Sequence, residues 1–450
     1  MSDPPALPSR LHSRHPRLRS AVIAVAAGAT LFVVGAIGLA PTSAPSGASS
    51  VPGGRSGAGT TAEGGIEALR ERLRRLPEDH DGWAGLGMAY VQQARTTADP
   101  ATYAKAEQAL RKSMALQSGG NYPAQVGMGA LAAARHQFTA ALEWGTKAAA
   151  TNPHGVAAQG VLADAYTQLG QYQAAFTAVQ RMTDLRPDSA SLARASYTWE
   201  LRGDPRQARS LMERALTAAA TPADAAFAQA HLAILALESG DAAGALGEAE
   251  KGLKVLPQEA PLLEARARAH TALGDTRQAI ADYTRAIAIA PLPQYLLGLG
   301  ELQQSLGHTG KARAQFRLLA AQQQLLEAGG AVPDTDAILY EADHGSPDRA
   351  LALARPAVRS RPFLAVQDAY AWALHRTGND TDALEAADKA LALGTRSALF
   401  HYHRAMIRQS LGDTKAARQD LTRALAIDPH FHPLHAPDAR AALERIDHTR

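Results

Sequence analysis

Apolar residues recur along most of this chain at the spacing of one face of an α-helix. Residues 260–291 show the pattern clearly, and their second half places apolar residues at i, i+4, i+7 and i+8: Ala279, Tyr283, Ala286 and Ile287. Gly274 stands where a helix can end in a left-handed residue, and Pro291 ends the second helix because proline lacks an N–H. The segment therefore predicts two short helices joined by a tight corner.

The same arrangement returns at a period of 34 residues. The preceding copy has its small residues and its proline at Gly240, Ala245, Ala249, Gly252 and Pro257. The best single copy has the order Leu162, Ala163, Tyr166, Ala175, Val179, Met182 and Pro187. The first copy carries Trp83, Leu86, Gly87 and Tyr90, and the last carries Ala405, Gly412, Ala417, Leu421, Ala424 and Pro429. This period and this order resemble the tetratricopeptide repeat family.

Ten copies follow one another in near-constant phase, over residues 80–120, 122–155, 156–188, 189–222, 226–259, 260–292, 293–326, 331–363, 364–397 and 398–431. The resemblance implies an all-α, right-handed solenoid of about ten helix pairs, each packed on its neighbours. We expect the solenoid to span residues 64–436, with a short helix over residues 66–76 covering its first repeat and a capping helix in residues 437–450. Departures from the period predict a lengthened turn at residues 94–103 and kinks at residues 219–225 and 328–334.

The first 63 residues have a different composition from the repeats. Residues 1–20 are rich in Pro, Arg and His and are expected to be disordered, whereas residues 21–40 are an uninterrupted apolar run in which Thr30 is the only polar side chain. Twenty helical residues span about 30 Å, the thickness of a bilayer's hydrocarbon core. Residues 41–63 are Pro/Ser/Gly-rich and predict a flexible linker. The sequence therefore predicts one transmembrane helix followed by a tether.

Four arginines precede the apolar run, which places the N-terminus in the cytoplasm and the repeats outside, in a single-pass cell membrane protein. A cleaved signal sequence, leaving a secreted protein, is the alternative, because a basic head and small residues at the exit also fit one. The run is longer than a typical signal core of about 7–15 residues, and Pro41 and Pro45 follow two of the candidate cleavage sites. These features favour a retained anchor.

Charge and cysteine content exclude several classes of function. The chain has 46 Lys and Arg against 43 Asp and Glu, and the whole excess lies in residues 1–40, so the repeat region is neutral overall. A neutral body disfavours nucleic-acid binding, which depends on clustered basic side chains. The absence of cysteine excludes disulfides, thiolate metal sites and cysteine nucleophiles.

No motif in the sequence predicts an enzyme. Residues 307–312, GHTGKA, lack the first glycine and the final Ser or Thr of a phosphate-binding loop, and neither HExxH nor GxSxG is present. Asp343 and His344 adjoin Gly345 at a repeat corner, which favours a turn over a catalytic dyad. We therefore expect no catalytic residue, no cofactor and no small-molecule substrate, with an enzyme site assembled across repeats as the remote alternative.

Histidines are enriched near the C-terminus, at His401, His403, His430, His432 and His435. His401 and His403 are two apart on a predicted helix and point in different directions. The other three lie in a Pro-broken segment that could converge on a metal ion, but a solvated loop packing on the last helix is the favoured interpretation. No metal site is predicted.

The resemblance implies a concave groove that binds extended or helical peptide segments. In the family this surface is formed by positions 2, 5, 9 and 12 of the first helix of each repeat. The corresponding groove residues here are Tyr197, Glu200, Phe227, Glu264, Arg268, Glu301, Gln304, Asp368, Trp372, His375, Tyr402 and Gln409. Aromatic side chains beside single charges suit peptide binding, and we expect about half of them to face solvent.

The function predicted from the sequence is a non-catalytic, membrane-anchored scaffold that binds a protein or peptide partner in its concave groove. Tethering by residues 21–40 would raise the effective concentration of the repeats at the membrane. The principal alternative is an accessory subunit of a cell-envelope assembly or secretion complex. The identity of the partner does not follow from the sequence.

Overall fold

Helices account for all the regular secondary structure in the part of the chain that the structure covers. The structure is a computed structural model that describes residues 62–97, 101–328 and 334–448, and these residues form 22 helices and no strand. The prediction of an all-α fold is confirmed for this part of the chain. The predicted disordered start, transmembrane helix and most of the linker lie outside the described residues. Among the helices that are described, none combines the length and apolar character needed to cross a bilayer.

The helices form a first cap, ten consecutive pairs and a last helix. In chain order they are α1 (Ala62–Arg75), α2 (His80–Thr97), α3 (Ala101–Leu116), α4 (Tyr122–Ala134), α5 (Phe138–Thr151), α6 (Val156–Gln168), α7 (Tyr172–Leu185), α8 (Ser189–Leu201), α9 (Pro205–Thr217), α10 (Pro222–Leu237), α11 (Ala242–Val255), α12 (Ala260–Leu273), α13 (Thr276–Ile289), α14 (Pro293–Ser305), α15 (Thr309–Ala328), α16 (Thr335–His344), α17 (Pro347–Ser360), α18 (Leu364–Arg376), α19 (Asp380–Leu391), α20 (Ala398–Ser410), α21 (Thr414–Ile427) and α22 (His435–His448).

Small residues and aspartate caps explain why each repeat forms a tight pair. A Cβ added at Gly87 of α2 would lie 2.5 Å from Cγ of Leu110, so the glycine lets α2 and α3 approach closely. At the start of the second helix, side chains such as Asp204 and Asp241 accept a hydrogen bond from a backbone N–H three residues on. Sequence-local features of this kind recur in several repeats and therefore produce similar corners along the chain.

Ion pairs at a fixed spacing join the two helices of some repeats. Arg266 of α12 donates from Nε and Nη2 to the carboxylate of Asp282 in α13, at 2.6 and 2.7 Å. Arg404 of α20 makes the same two-bond contact with Asp420 of α21, at 2.9 and 2.8 Å, again across 16 residues. Both aspartates are buried. A bidentate contact of this type fixes the separation and the rotation of the paired helices.

Two local expectations need correction. The lengthened turn expected at residues 94–103 is largely helical, because α2 continues to Thr97 and α3 begins at Ala101. The joint at residues 219–225, where a kink stays a prediction, contains a helix start at which Thr221 and Asp224 form a capping box with both bonds present. The final helix begins at His435, inside the Pro-broken segment. Most of the other predicted joint, residues 329–333, lies outside the described residues.

The repeats close on themselves from the third to the tenth. The backbone N–H of Leu364, at the start of α18, donates to the hydroxyl of Tyr172, at the start of α7, at 2.9 Å. The hydroxyl of Thr395, before α20, donates to the carbonyl of Leu201, at the end of α8, at 2.6 Å. The corner at Gly240, between α10 and α11, lies against the backbone at Ile427, at the end of α21.

Each of these contacts joins the corner of one repeat to the loop that ends the repeat five positions later. The two sets of helices also share one apolar core, in which Leu201 and Leu232 are in the same cluster as Trp372 and Tyr402. The concave face of the middle repeats is therefore covered by the protein's own C-terminal repeats.

A candidate ligand chamber on the inner face

Closure leaves a chamber of about 370 Å³ between the inner helices and the C-terminal repeats. Acidic side chains are the most distinctive feature of its lining. They come from helices α8, α10, α12, α14 and α16 or the ends of these helices, and from the end of α21. These are Glu200, Glu238, Glu264, Glu301, Asp336, Asp343 and Asp428. Arg268 is the only arginine or lysine among the described lining residues. The chamber thus concentrates negative charge in a protein region whose overall charge is neutral.

The segment between α21 and α22 forms one side of the chamber. His432 donates from Nε2 to Oε2 of Glu301 at 3.0 Å, and His435 contacts Oδ2 of Asp343 through Nε2 at 3.2 Å. The other oxygen of Glu301 is 3.1 Å from Nε2 of His344. The interpretation of this segment as a solvated loop is wrong, because only 15 % of the His432 side chain is exposed. The segment therefore packs against the acidic inner face of repeats that precede it by many residues in the chain.

An aromatic cluster supports the same side of the chamber. Trp372 stacks on His403 with their ring centroids 4.2 Å apart, and it donates from Nε1 to Oδ1 of Asp343 at 2.9 Å. Tyr402 stacks on His435 at 4.9 Å. His403 is fully buried, and its Nδ1 lies 2.9 Å from Oδ2 of Asp368. The cluster holds the orientation of the side chains that face the cavity.

The direction of the pKa shift divides the chamber carboxylates into two groups. Burial, reinforced by the charge of Glu238, raises the pKa of Glu200 well above its usual value. Burial likewise raises the pKa of Glu264 and Asp336. For Glu301, burial acts in the same direction, but the charge of His432 and the hydrogen bond from His344 outweigh it and lower its pKa. Histidines therefore compensate Glu301 and Asp343, whose pKa is also lowered, whereas other carboxylates lie in the chamber without comparable compensation.

The structure places the twelve predicted groove residues at very different depths. Six are buried: Tyr197, Glu264, Glu301, Asp368, Trp372 and Tyr402. Five are partly buried: Glu200, Phe227, Arg268, His375 and Gln409. Gln304 alone of the twelve is fully exposed, so six of the twelve keep at least partial exposure. Neighbouring helices bury several of these side chains: Trp372, for example, packs between α16, α20 and the start of α22.

Glu200, Glu264, Arg268 and Glu301 do converge, since all four line the chamber. Sequence reasoning missed the residues that reach the chamber from helix ends, since the groove positions fall within the first helix of each repeat. Glu238 and Asp428 are such residues, because each is the C-cap of its helix. The sequence feature that could have identified these chamber residues is an acidic residue next to a repeat corner. Their convergence depends on closure, which brings the ends of distant helices together.

The pair of His432 and Glu301 predicts a pH dependence of stability. Burial and the charge of Arg268 lower the pKa of His432, but the charge of Glu301, the hydrogen bond to it and the charge of Asp343 together outweigh them and raise the pKa above its ordinary 6.5. Because the pKa of His432 is raised in the folded state, the stability contributed by its pairing with Glu301 is complete below about pH 6.5. This stability is lost as the pH rises through the raised pKa. Because the pKa of Glu301 is lowered, its contribution is lost only well below about pH 4.5.

We expect His432→Gln to lower the unfolding free energy by about 1–3 kcal/mol at pH 6, the range for a buried charged hydrogen bond, and by less at pH 9. Urea titrations at the two pH values measure this difference. The exposed His154→Gln serves as the control and should have little effect at either pH. An equal loss at pH 6 and pH 9 for His432→Gln would show that the ion pair does not form.

Fold and chamber together define a helical repeat protein whose inner face bears a cavity lined by several carboxyl groups. Comparison with known proteins agrees with the repeat class: tetratricopeptide repeat models match residues 123–190, and residues 260–291 and 398–431. The prediction of tetratricopeptide repeats is thereby confirmed for these stretches. Tetratricopeptide repeat protein 36 of Danio rerio is 36 % identical over 89 residues, which are 19 % of this chain and 48 % of that protein. The chain thus spans about half the length of this relative.

Solved structures similar to this chain share little sequence identity with it. A human IFIT1 dimer with PPP-AAAA is 14 % identical and has a TM-score of 0.45, with 81 % of this chain and 86 % of that chain covered. Yeast Tom70 is 14 % identical and has a TM-score of 0.35, with 85 % and 92 % covered.

Proposed function

We propose that this protein is a non-catalytic interaction scaffold, anchored in a membrane by residues 21–40, that binds a segment of a protein partner on the inner face of its repeats. The recognised tetratricopeptide repeats support the general role, since such repeats serve protein interaction. In this proposal the repeats lie on the extracytoplasmic side. The partner segment reaches the chamber, because the remainder of the concave face is packed against the protein's own C-terminal repeats.

The observation that carries this proposal is the set of carboxylates that line the chamber. Placing a carboxylate away from bulk water costs several kcal/mol unless a partner compensates the charge. Glu264 and Asp336 each keep one carboxylate oxygen without a hydrogen-bond partner, among the contacts that the structure describes. Apolar residues at these positions would close the repeats at lower cost. Side chains retained at such a cost indicate a surface that meets a ligand.

A cross-linking capture from native membranes tests the binding role. The full chain is compared with a Glu238→Gln/Glu264→Gln variant, which preserves side-chain shape while removing two chamber charges. Glu385→Gln is the matched control, since Glu385 lies on the exposed face of α19 beside Lys389. We expect one set of proteins to be captured by the wild type and the control and lost with the double variant. Capture of the same set by all three proteins would contradict inner-face binding.

The membrane anchor requires its own test. Alkaline extraction of membranes should leave the protein in the pellet, and mass spectrometry should find peptides from residues 1–20 in the mature protein. A soluble protein whose N-terminus lies beyond residue 40 would instead establish cleavage of a signal sequence. Protease added to intact cells or spheroplasts should cleave the repeats and spare residues 1–20 if the orientation is as proposed.

A further inference from the structure

The chamber contains buried polar atoms that no neighbouring group satisfies. Glu264 is only 4 % exposed, and its Oε2 has no hydrogen-bond partner, while its Oε1 lies 3.7 Å from Nη1 of Arg268. His403 is fully buried, and its Nε2 is also without a partner. Both residues line the cavity. Buried polar groups in folded proteins are normally hydrogen-bonded, so each of these atoms beside the cavity lacks its usual partner.

The chemistry of the lining selects a cation. Glu200, Glu238 and Asp336 line the same cavity, and none of them forms an ion pair among the described residues. The one arginine of the lining lies nearest Glu264. An anion or a neutral molecule would bring no opposite charge to these carboxyl groups, whose charged forms burial disfavours. A positively charged group would instead supply donors to several carboxylates and remove the cost of their burial.

The arrangement of the carboxylates distinguishes the kind of cation. In residues 62–97, 101–328 and 334–448, no three His, Asp or Glu side chains are placed to hold a metal ion. The carboxylates come from five inner helices and are spread around a cavity of about 370 Å³, a size typical of small-molecule sites. Tyr283 and Phe431 also line it, and aromatic faces attract organic cations. A flexible chain with terminal ammonium groups can reach separated carboxylates, whereas a planar guanidinium suits one carboxylate bound by two parallel bonds.

The geometry points to the chamber as a binding site for an alkylammonium group, carried by a free polyamine or by a lysine side chain of the bound partner. This inference rests on the proposed role of the inner face as the binding surface. One ammonium group donates to Glu264, a second ammonium group of a polyamine reaches the carboxyl groups of Glu200 and Glu238, and the methylene chain packs on Leu237, Tyr283 and Leu302. Both sources of the group present the same chemistry to the chamber.

Isothermal titration of the purified full chain in detergent tests this inference with two probes. One probe is spermidine, and the other is an N-acetylated peptide amide with a single lysine, compared with the same peptide carrying acetyl-lysine. Spermidine binding alone assigns the site to a free polyamine, and binding that requires the unmodified lysine assigns it to a partner segment. Absence of heat with both probes would overturn the inference.

Variants then locate the binding. Glu264→Gln should weaken affinity about 10- to 100-fold, as expected when one charged hydrogen bond is lost. The exposed Glu385→Gln should leave affinity unchanged. Thermal unfolding without ligand distinguishes this effect from misfolding, because removal of an uncompensated buried charge should leave the melting temperature of Glu264→Gln at or above that of the wild type. Equal affinity of the wild type and Glu264→Gln would place the cation elsewhere and overturn the inference.

The outcome is separable from that of the proposed function. Loss of partner capture with the chamber variants, combined with no binding of either probe, overturns the alkylammonium assignment and leaves the scaffold role intact. Spermidine binding that Glu264→Gln weakens, combined with unchanged partner capture, supports the amine site and contradicts inner-face binding of a protein.

Discussion

Gly203→Ala should lower the unfolding free energy by about 2–5 kcal/mol, whereas Gly378→Ala should lower it by about 1–2 kcal/mol. Both glycines are helix-corner residues with left-handed backbones, at φ values of 72° and 78°. The conformational cost of a side chain is therefore similar at the two positions. They differ in their surroundings, since a Cβ at Gly203 would overlap the carbonyl oxygen of Gly394, while a Cβ at Gly378 would meet nothing within 4 Å.

The difference between the two variants measures the contact that closes the repeats. The overlapped atom belongs to the backbone, so it cannot move aside as a flexible side chain could. Urea titrations monitored by circular dichroism give the two free energies. Equal losses in the two variants would mean that the corner at Gly203 does not lie against the loop at Gly394 in solution.

Trp372→Ala should also be strongly destabilising, by about 3–5 kcal/mol, the usual cost of removing a buried aromatic side chain. Only 3 % of Trp372 is exposed, and it packs between α16, α20 and the start of α22 through Asp343, His403 and His435. Its loss leaves a cavity and removes the N–H donated to Asp343. The sequence predicts Trp372 as a groove residue. The stability of this variant therefore distinguishes a buried packing role from a solvent-facing binding role.

Trp372→Phe is the appropriate companion variant, because it keeps an aromatic ring and removes the indole N–H. We expect it to cost less than Trp372→Ala, about 1–3 kcal/mol, from the unsatisfied Asp343 oxygen and the reduced volume. Denaturant titrations of both variants provide the measurement. A Trp372→Ala protein as stable as the wild type would indicate a solvent-facing side chain, as in an open groove.

Sequence periodicity was sufficient to predict the helix pairs, because each pair depends on features within about 34 residues. The left-handed glycine at Gly274 and the stripe that includes Tyr283 act locally, and the structure has the predicted corner and helix there. The cap α1 was predicted within a few residues for the same reason. Local rules of this kind are repeated ten times, so an error in one copy does not alter the overall pattern.

Closure could not be predicted in this way. The hydrogen bond between Leu364 and Tyr172 joins residues 192 apart, and the one between Thr395 and Leu201 joins residues 194 apart. Whether such residues meet depends on the sum of small rotations between successive repeats. A change of a few degrees at each interface converts a closed turn into an open groove. For that reason the sequence predicts which residues lie on the inner face. It does not predict how deeply these side chains are buried or that His432 contacts Glu301.

The central claim is that the third to the tenth repeats close around an internal chamber, and a distance across the closing contact tests it most directly. The chain has no cysteine, so spin labels can be attached at Arg206→Cys and Ala392→Cys, two exposed positions within three residues of Gly203 and Gly394. Given the reach of an extended chain, their Cα atoms lie within about 25 Å in the closed form.

Double electron–electron resonance should therefore give one narrow distance below about 35 Å, including the length of the labels. An open solenoid separates the same positions by about eleven helices, each about 8–10 Å from the next, and reaches roughly 80 Å. A distribution centred near the larger value would contradict closure, and with it the chamber on which the proposed function rests.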